Sequence, residues 1–225
     1  MLFIYQICQT QKCFDQARYP LLIGGNQDST SFTCLDSNSE GSTVIGGYTN
    51  DNKVSQLTGT KPLVVFLRDG KIQWTMTFNI LNYYQVSAIA FQESVETYIA
   101  LSLQTDSLSS DPFNVMVISS SGTLYAFFIS TFGIQGTVLQ HGLKFDDSQY
   151  IYLAMQPVTT TKYFQMVITD FTLTNKNTNL FKKWPYSGSQ ANTVTIDVSQ
   201  SYAYFGGIIK SQEGLFYSSI VSLAS

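Results

Sequence analysis

TCLDSNSEGSTVIGGYTND (residues 33–51), followed after a loop by KPLVVFLRDGKIQWTMTFNI (residues 61–80), is the stretch that decides the fold. It holds four short apolar or β-branched runs parted by turn residues: Phe32–Leu35, Thr43–Gly47, Leu63–Leu67 and Lys71–Trp74. Runs of this length, bounded by Gly, Asn, Asp and Ser, read as strands. Asp69-Gly70 between the last two is a tight hairpin signal.

Working outward, the same unit is written again. First strands recur at Ser87–Phe91, Gly142–Phe145 and Val194–Ile196, and second strands at Tyr98–Ser102, Tyr150–Ala154 and Tyr202–Gly206. Third strands recur at Val115–Ile118, Phe164–Ile168 and Tyr217–Val221, and fourth strands at Thr123–Phe127 and Leu180–Trp184. An aspartate follows the first strand in three repeats, as Asp36, Asp146 and Asp197. The small residues ending the second strands suit a crowded place near an axis. A period of roughly 50–55 residues lies at the long end of the propeller range. No stretch shows a helical period with caps.

The expected fold is therefore all-β, a β-propeller of about four four-stranded blades. A β-sandwich has similar strand content, but its Greek-key order does not repeat in units of four. The fourth repeat stops after its third strand, and Arg18–Gly25 reads as a strand placed ahead of the first repeat. Two arrangements fit: the N-terminal strand closes the last blade, removing two sheet edges, or the chain is part of a larger propeller. Residues 1–17 read as an N-terminal extension or leader remnant, and 18–225 as the propeller domain.

Composition narrows the function classes. The net charge is -3 and only 12% of residues are charged, so nucleic acid and anionic membranes have no electrostatic attraction to this chain. No apolar run approaches the ~18 residues that span a bilayer. Ser, Thr, Asn and Gln carry the polar surface, which tilts the reading toward an extracellular or cell-surface protein. No Asn-x-Ser/Thr acceptor occurs. Cys8, Cys13 and Cys34 form no disulfide framework; one bridge with a spare thiol and three reduced thiols both fit.

LDSNSEGSTVIGGYTND and LVVFLRDGKIQWTMTF resemble the bacterial-type β-propeller repeat labelled SBBP, and RYPLLIGGNQDSTSFTCLD is similar to that family's repeat junction. The resemblance covers about Arg18 to Ser225, strongest in the first repeat. The second and third repeats lack the glycine pair after the second strand. Gln and Asn usage is similar to that of secreted ciliate proteins carrying such repeats. The resemblance implies a scaffold with no shared catalytic residues, so it brings no site with it.

Candidate chemistry is sparse. The one histidine, His141, stands at a repeat junction and reads as a loop or strand-edge residue. No nucleophile elbow, Walker or dinucleotide fingerprint is present. Cys8 and Cys13 lack the second ligand pair of a zinc site. Asp36–Gly41 echoes a Ca²⁺ loop without its closing Glu and reads as a turn in which Asp36 and Asn38 bond local backbone. No cofactor or metal is expected. Trp74 and Trp184 read as wedges between blades. Tyr83 and Tyr84, read as a loop between blades, are the candidate contact residues. The leading expectation is a non-catalytic structural or interaction scaffold, with protein partners or copies of itself. A carbohydrate-binding propeller is the second reading and a hydrolase the third.

Overall fold

The structure is a computed structural model. It describes residues 28–38, 40–55, 58–80, 82–92, 97–105, 114–129, 136–147, 150–156, 165–170, 180–183, 189–197 and 202–224. Among the described residues fifteen strands lie in four antiparallel sheets, each a meander in chain order. The first sheet is β1 (Thr30–Ser37), β2 (Ser42–Thr49), β3 (Lys61–Arg68) and β4 (Lys71–Thr77). The second is β5 (Tyr83–Phe91), β6 (Tyr98–Thr105), β7 (Asn114–Ser119) and β8 (Leu124–Ile129). The third is β9 (Thr137–Phe145), β10 (Tyr150–Gln156), β11 (Gln165–Asp170) and β12 (Leu180–Lys183). The fourth has three strands: β13 (Gln190–Asp197), β14 (Tyr202–Lys210) and β15 (Phe216–Ala224).

The strands expected within the described residues are present, most of them longer than their apolar cores, while β12 is described over Leu180–Lys183 alone. The Asp69-Gly70 hairpin turn forms with φ of 51° and 67°, which matches the twist of the flanking strands. One short helical turn, α1 (Asn52–Ser55), was not foreseen. It forms because the Asp51 carbonyl accepts from the Val54 and Ser55 N–H groups at 3.0 and 3.1 Å.

The core lies between sheets. Val64 and Phe66 of the first sheet pack with Val86, Ile89 and Leu101 of the second. Ala88, Ala100 and Val117 of the second pack with Leu143, Ile151 and Leu153 of the third. Tyr152, Ala154 and Met166 of the third pack with Val194, Ala203 and Phe205 of the fourth. Strands β6 and β10 are covered on both faces, so their sequences run apolar without strict alternation. Strand β14 alternates, because only one face of the fourth sheet is packed.

The first strands stand side by side: β1 beside β5, β5 beside β9, β9 beside β13. The crowding expected at the end of β2 is real. A Cβ on Gly46 would sit 2.7 Å from both Cys34 Sγ and Val86 Cγ1. Trp74 is the expected wedge. Its ring stacks on Phe66 at 5.3 Å, and its Nε1–H donates to the Ser120 carbonyl in the second sheet at 2.7 Å. Among the described residues no closed ring is seen, since no core cluster joins the fourth sheet to the first. Arg18–Gly25, Cys8, Cys13 and Trp184 lie outside the described residues.

Candidate functional site

Every first strand carries an irregularity at the same level. In β1 the register passes from Phe32 to Cys34 and leaves Thr33 unmatched. In β5 it passes from Val86 to Ala88 and leaves Ser87 unmatched. In β13 it passes from Ala191 to Thr193 and leaves Asn192 unmatched. In β9 the break is wider: Leu143 pairs Leu153 and Val138 pairs Met155, leaving residues 139–142 against Ala154. A bulge breaks the two-residue alternation and re-aims side chains.

The bulged residues come together. Thr33, Ser87, Leu139, Gln140, His141 and Asn192 line one cleft of 410 Å³, joined by Gln85 and Gln104. A second cleft of 240 Å³ continues from it along β9, sharing Gln140 and His141 and reaching Asp36, Lys144, Thr193 and Thr195. Among the described residues the wider end carries no Asp, Glu, Lys or Arg, and His141 supplies one imidazole. The three glutamines and one asparagine of this end each offer both donor and acceptor. Gln85 Nε2 donates to Gln104 Oε1 at 2.6 Å, and both residues line the cleft. Ser87 donates to the Ser102 carbonyl at 3.2 Å, and Thr33 to the Val86 carbonyl, tying β1 to β5 at the rim.

The catalytic possibilities of this cleft are few. His141 sits in the bulged part of β9, exposed, and among the described residues no carboxylate bonds it. Nor does any group of three or more His, Cys, Asp or Glu there stand close enough to hold a metal ion. Cys34, beside the cleft, is a buried free thiol. Burial pushes its pKa up to about 12, against smaller opposing effects from the Thr33 hydroxyl and the Gly46 backbone. It is a packing residue, unsuited to act as a thiolate nucleophile.

Tyr83 and Tyr84 are not in a loop. The turn ends one residue earlier, at Asn82 with φ of 71°, and the two tyrosines open β5. Tyr83 is buried, edge-on to Phe127 at 6.3 Å, because the interface between the first two sheets needs an apolar body there. Tyr84 is half-buried, 6.4 Å from the ring of Tyr48 in the first sheet. Of the pair, Tyr84 alone retains partial exposure.

The recurring aspartates also differ from expectation. Asp36 bonds no local backbone; its carboxylate accepts from the Phe91 N–H in the next sheet at 2.9 Å. Asp146 does close its own turn, accepting from the Tyr150 N–H and from the Tyr152 hydroxyl, both at 2.7 Å. Asn38 behaves as expected, accepting from Glu40 and Ser42 N–H groups at 3.1 and 2.9 Å.

Sequence reasoning missed the cleft residues. Their signal was one or two polar residues set among apolar ones in each first strand: Thr33 in FTCL, Ser87 in VSAI, Asn192 in ANTV and Gln140-His141 in LQHGL.

No family model matches the chain, and no curated protein matches it in sequence. A solved structure described as a crystal structure of the eukaryotic initiation factor is similar over 87% of this chain and 43% of its own, at 12% identity and a TM-score of 0.43. The chain thus spans less than half the length of that protein. Among the described residues no helix is long and apolar enough to cross a membrane.

Proposed function

We propose that this chain is a non-catalytic interaction scaffold of the β-propeller kind, its sheets acting as blades around the cleft, and that the cleft receives an uncharged polar segment of a protein partner. The observation that carries this reading is the alignment of the first-strand bulges. All four sheets turn residues into one cleft, and the wider end offers amides and hydroxyls with almost no charge. Such a surface matches the alternating donors and acceptors of a polypeptide backbone or of Asn, Gln and Ser side chains. Among the described residues the same cleft is lined by no Phe, Tyr or Trp ring on which a sugar could stack. The likeness of repeat one to the SBBP repeat and the Ser/Thr-rich surface support an extracellular or cell-surface scaffold.

The test is selection of binders from a displayed library of unstructured peptides, followed by calorimetry on Q140L and N192L. Peptide binding lost in both variants supports the reading. Glycan-panel binding lost in the same variants makes the cleft a carbohydrate site. An absence of binding to either leaves the bulges a purely structural device and overturns the proposal.

A further inference from the structure

The fourth sheet presents an apolar face and an unpaired edge together. Strand β15 pairs β14 on one side, and among the described residues nothing pairs its other side. Partners opposite one another in the ladder share a face. Tyr202, Tyr204, Ile208 and Lys210 of β14 therefore stand with Phe216, Ser218 and Ile220 of β15, away from the third sheet. Ile220 is 77% exposed and Phe216 63%. Across 202–222 the charged residues are Lys210 and Glu213 alone, and Lys210 Nζ lies over the Phe216 ring at 5.6 Å. Edge strands that must stay single carry inward charges, prolines or bulges. The β14–β15 ladder is regular along its whole length, and the sequence of β15 has no charge and no proline.

We infer that β15 is an interface between two copies of this chain, pairing antiparallel with its own counterpart about a two-fold axis. Three observations select a second copy. The opposite end of the row of sheets offers no complementary face: Leu63, Val65 and Leu67 on the outer side of the first sheet are fully buried, with Val54 of α1 packed against them. Head-to-tail stacking of these two faces is thereby blocked, which favours like-with-like association. Charge does not oppose it, since neither copy brings a cluster of like sign to the strand. The exposed pattern is also self-complementary. With the axis at Ser218, Phe216 of one copy stands opposite Ile220 of the other, twice, and aromatic–β-branched pairs stabilise antiparallel neighbours. The result is one continuous six-stranded sheet, twice the three strands of the fourth sheet. This inference does not depend on the cleft reading.

The experiment is light scattering on the full chain across a dilution series, with two variants and a cross-linking readout. The intact chain is expected to be a dimer. I220K is expected to raise the dimer dissociation constant by roughly thirtyfold or more, as for a central contact residue. L124K, which alters the 54% exposed Leu124 on β8, is expected to leave it unchanged. Circular dichroism checks that each variant folds. In S218C the new sulfurs face one another at cross-strand distance, about 4.5–5.5 Å between Cβ atoms, and a covalent dimer forms on oxidation beyond that of the unaltered chain. In I220C they are offset by four residues, about 13 Å, and no added cross-link forms. A monomeric intact chain, an open ladder of oligomers, or equal cross-linking of S218C and I220C would overturn the inference.

Discussion

The Asp36 carboxylate accepts a hydrogen bond from the Phe91 N–H across 55 residues of sequence, stitching the end of β1 to the end of β5. It is a charge-assisted bond between the first strands of two sheets, so removing it acts on the angle between sheets as well as on stability. Asp36→Ala is expected to lower stability by about 1.5–3 kcal/mol, while Asp36→Asn, which keeps an acceptor, loses less. Urea unfolding midpoints of the two variants decide the matter; equal and negligible losses would show that the bond carries no weight.

Gly46 carries the second prediction. With Cys34 Sγ and Val86 Cγ1 both 2.7 Å from where its Cβ would lie, there is no room for a larger residue. Gly46→Val is expected to cost at least the ~1–3 kcal/mol typical of overpacking, by pushing β5 away from β2. Thermal melts of Gly46→Ala beside Gly46→Val separate crowding, which grows with side-chain size, from the general effect of losing a glycine.

Asn114 extends a ladder that backbone pairing leaves unfinished. Backbone pairing of β6 with β7 ends at Leu101 and Met116, and the buried Asn114 amide then bonds both the N–H and the carbonyl of Leu103, at 2.8 and 2.7 Å. Asn114→Asp keeps the acceptor and loses the donor while burying a charge. It is expected to destabilise by several kcal/mol, more than the ~1–3 kcal/mol of one orphaned buried group. Stability of Asn114→Asp that recovers as pH falls below the carboxylate range would confirm the buried charge as the cause.

Cys34 makes stability pH-dependent. Burial pushes its folded pKa up to about 12, above the ordinary thiol range, so the folded state favours the neutral thiol. The sign follows: this contribution is fully present below pH 9 and is lost as pH rises toward 12, at up to about 1.4 kcal/mol per unit of separation. The urea midpoint is expected to fall more steeply over that window in the unaltered chain than in Cys34→Ala. In the native state at neutral pH the Cys34 thiol is expected to resist an aromatic disulfide reagent until the chain is unfolded. Prompt native labelling traced to Cys34 by mass mapping would contradict the burial.

The strands were legible because each apolar run is short and ends in turn residues; Leu63–Leu67 and Asp69-Gly70 leave little choice. Trp74 was legible for a related reason, since a large ring with one donor on an outer strand finds its best place between sheets. The bulges were not. A single polar residue such as Ser87 between Val86 and Ala88 looks like an ordinary outward-facing position until its partner strand shows that it has no opposite. Tyr83 was misplaced because Asn82, capable of a left-handed turn, ends the loop one residue before the aromatic pair. Asp36 and Asp146 occupy matching places in the repeat, yet one reaches forward to the next sheet and the other back over its own hairpin. Sequence recurrence marks the position and leaves the partner open.

The packing of each sheet chiefly on its immediate neighbours has a consequence for how the molecule opens. Stability in such a row is close to a sum of unit terms and nearest-neighbour couplings. Among the described residues the second and third sheets are each coupled on two sides, the fourth on one. In the monomer, below the dimer dissociation constant, amide hydrogen exchange should therefore be graded along the chain: slowest in β6 and β10, fastest in β14 and β15, with the last sheet able to fray as a unit while the rest stays folded.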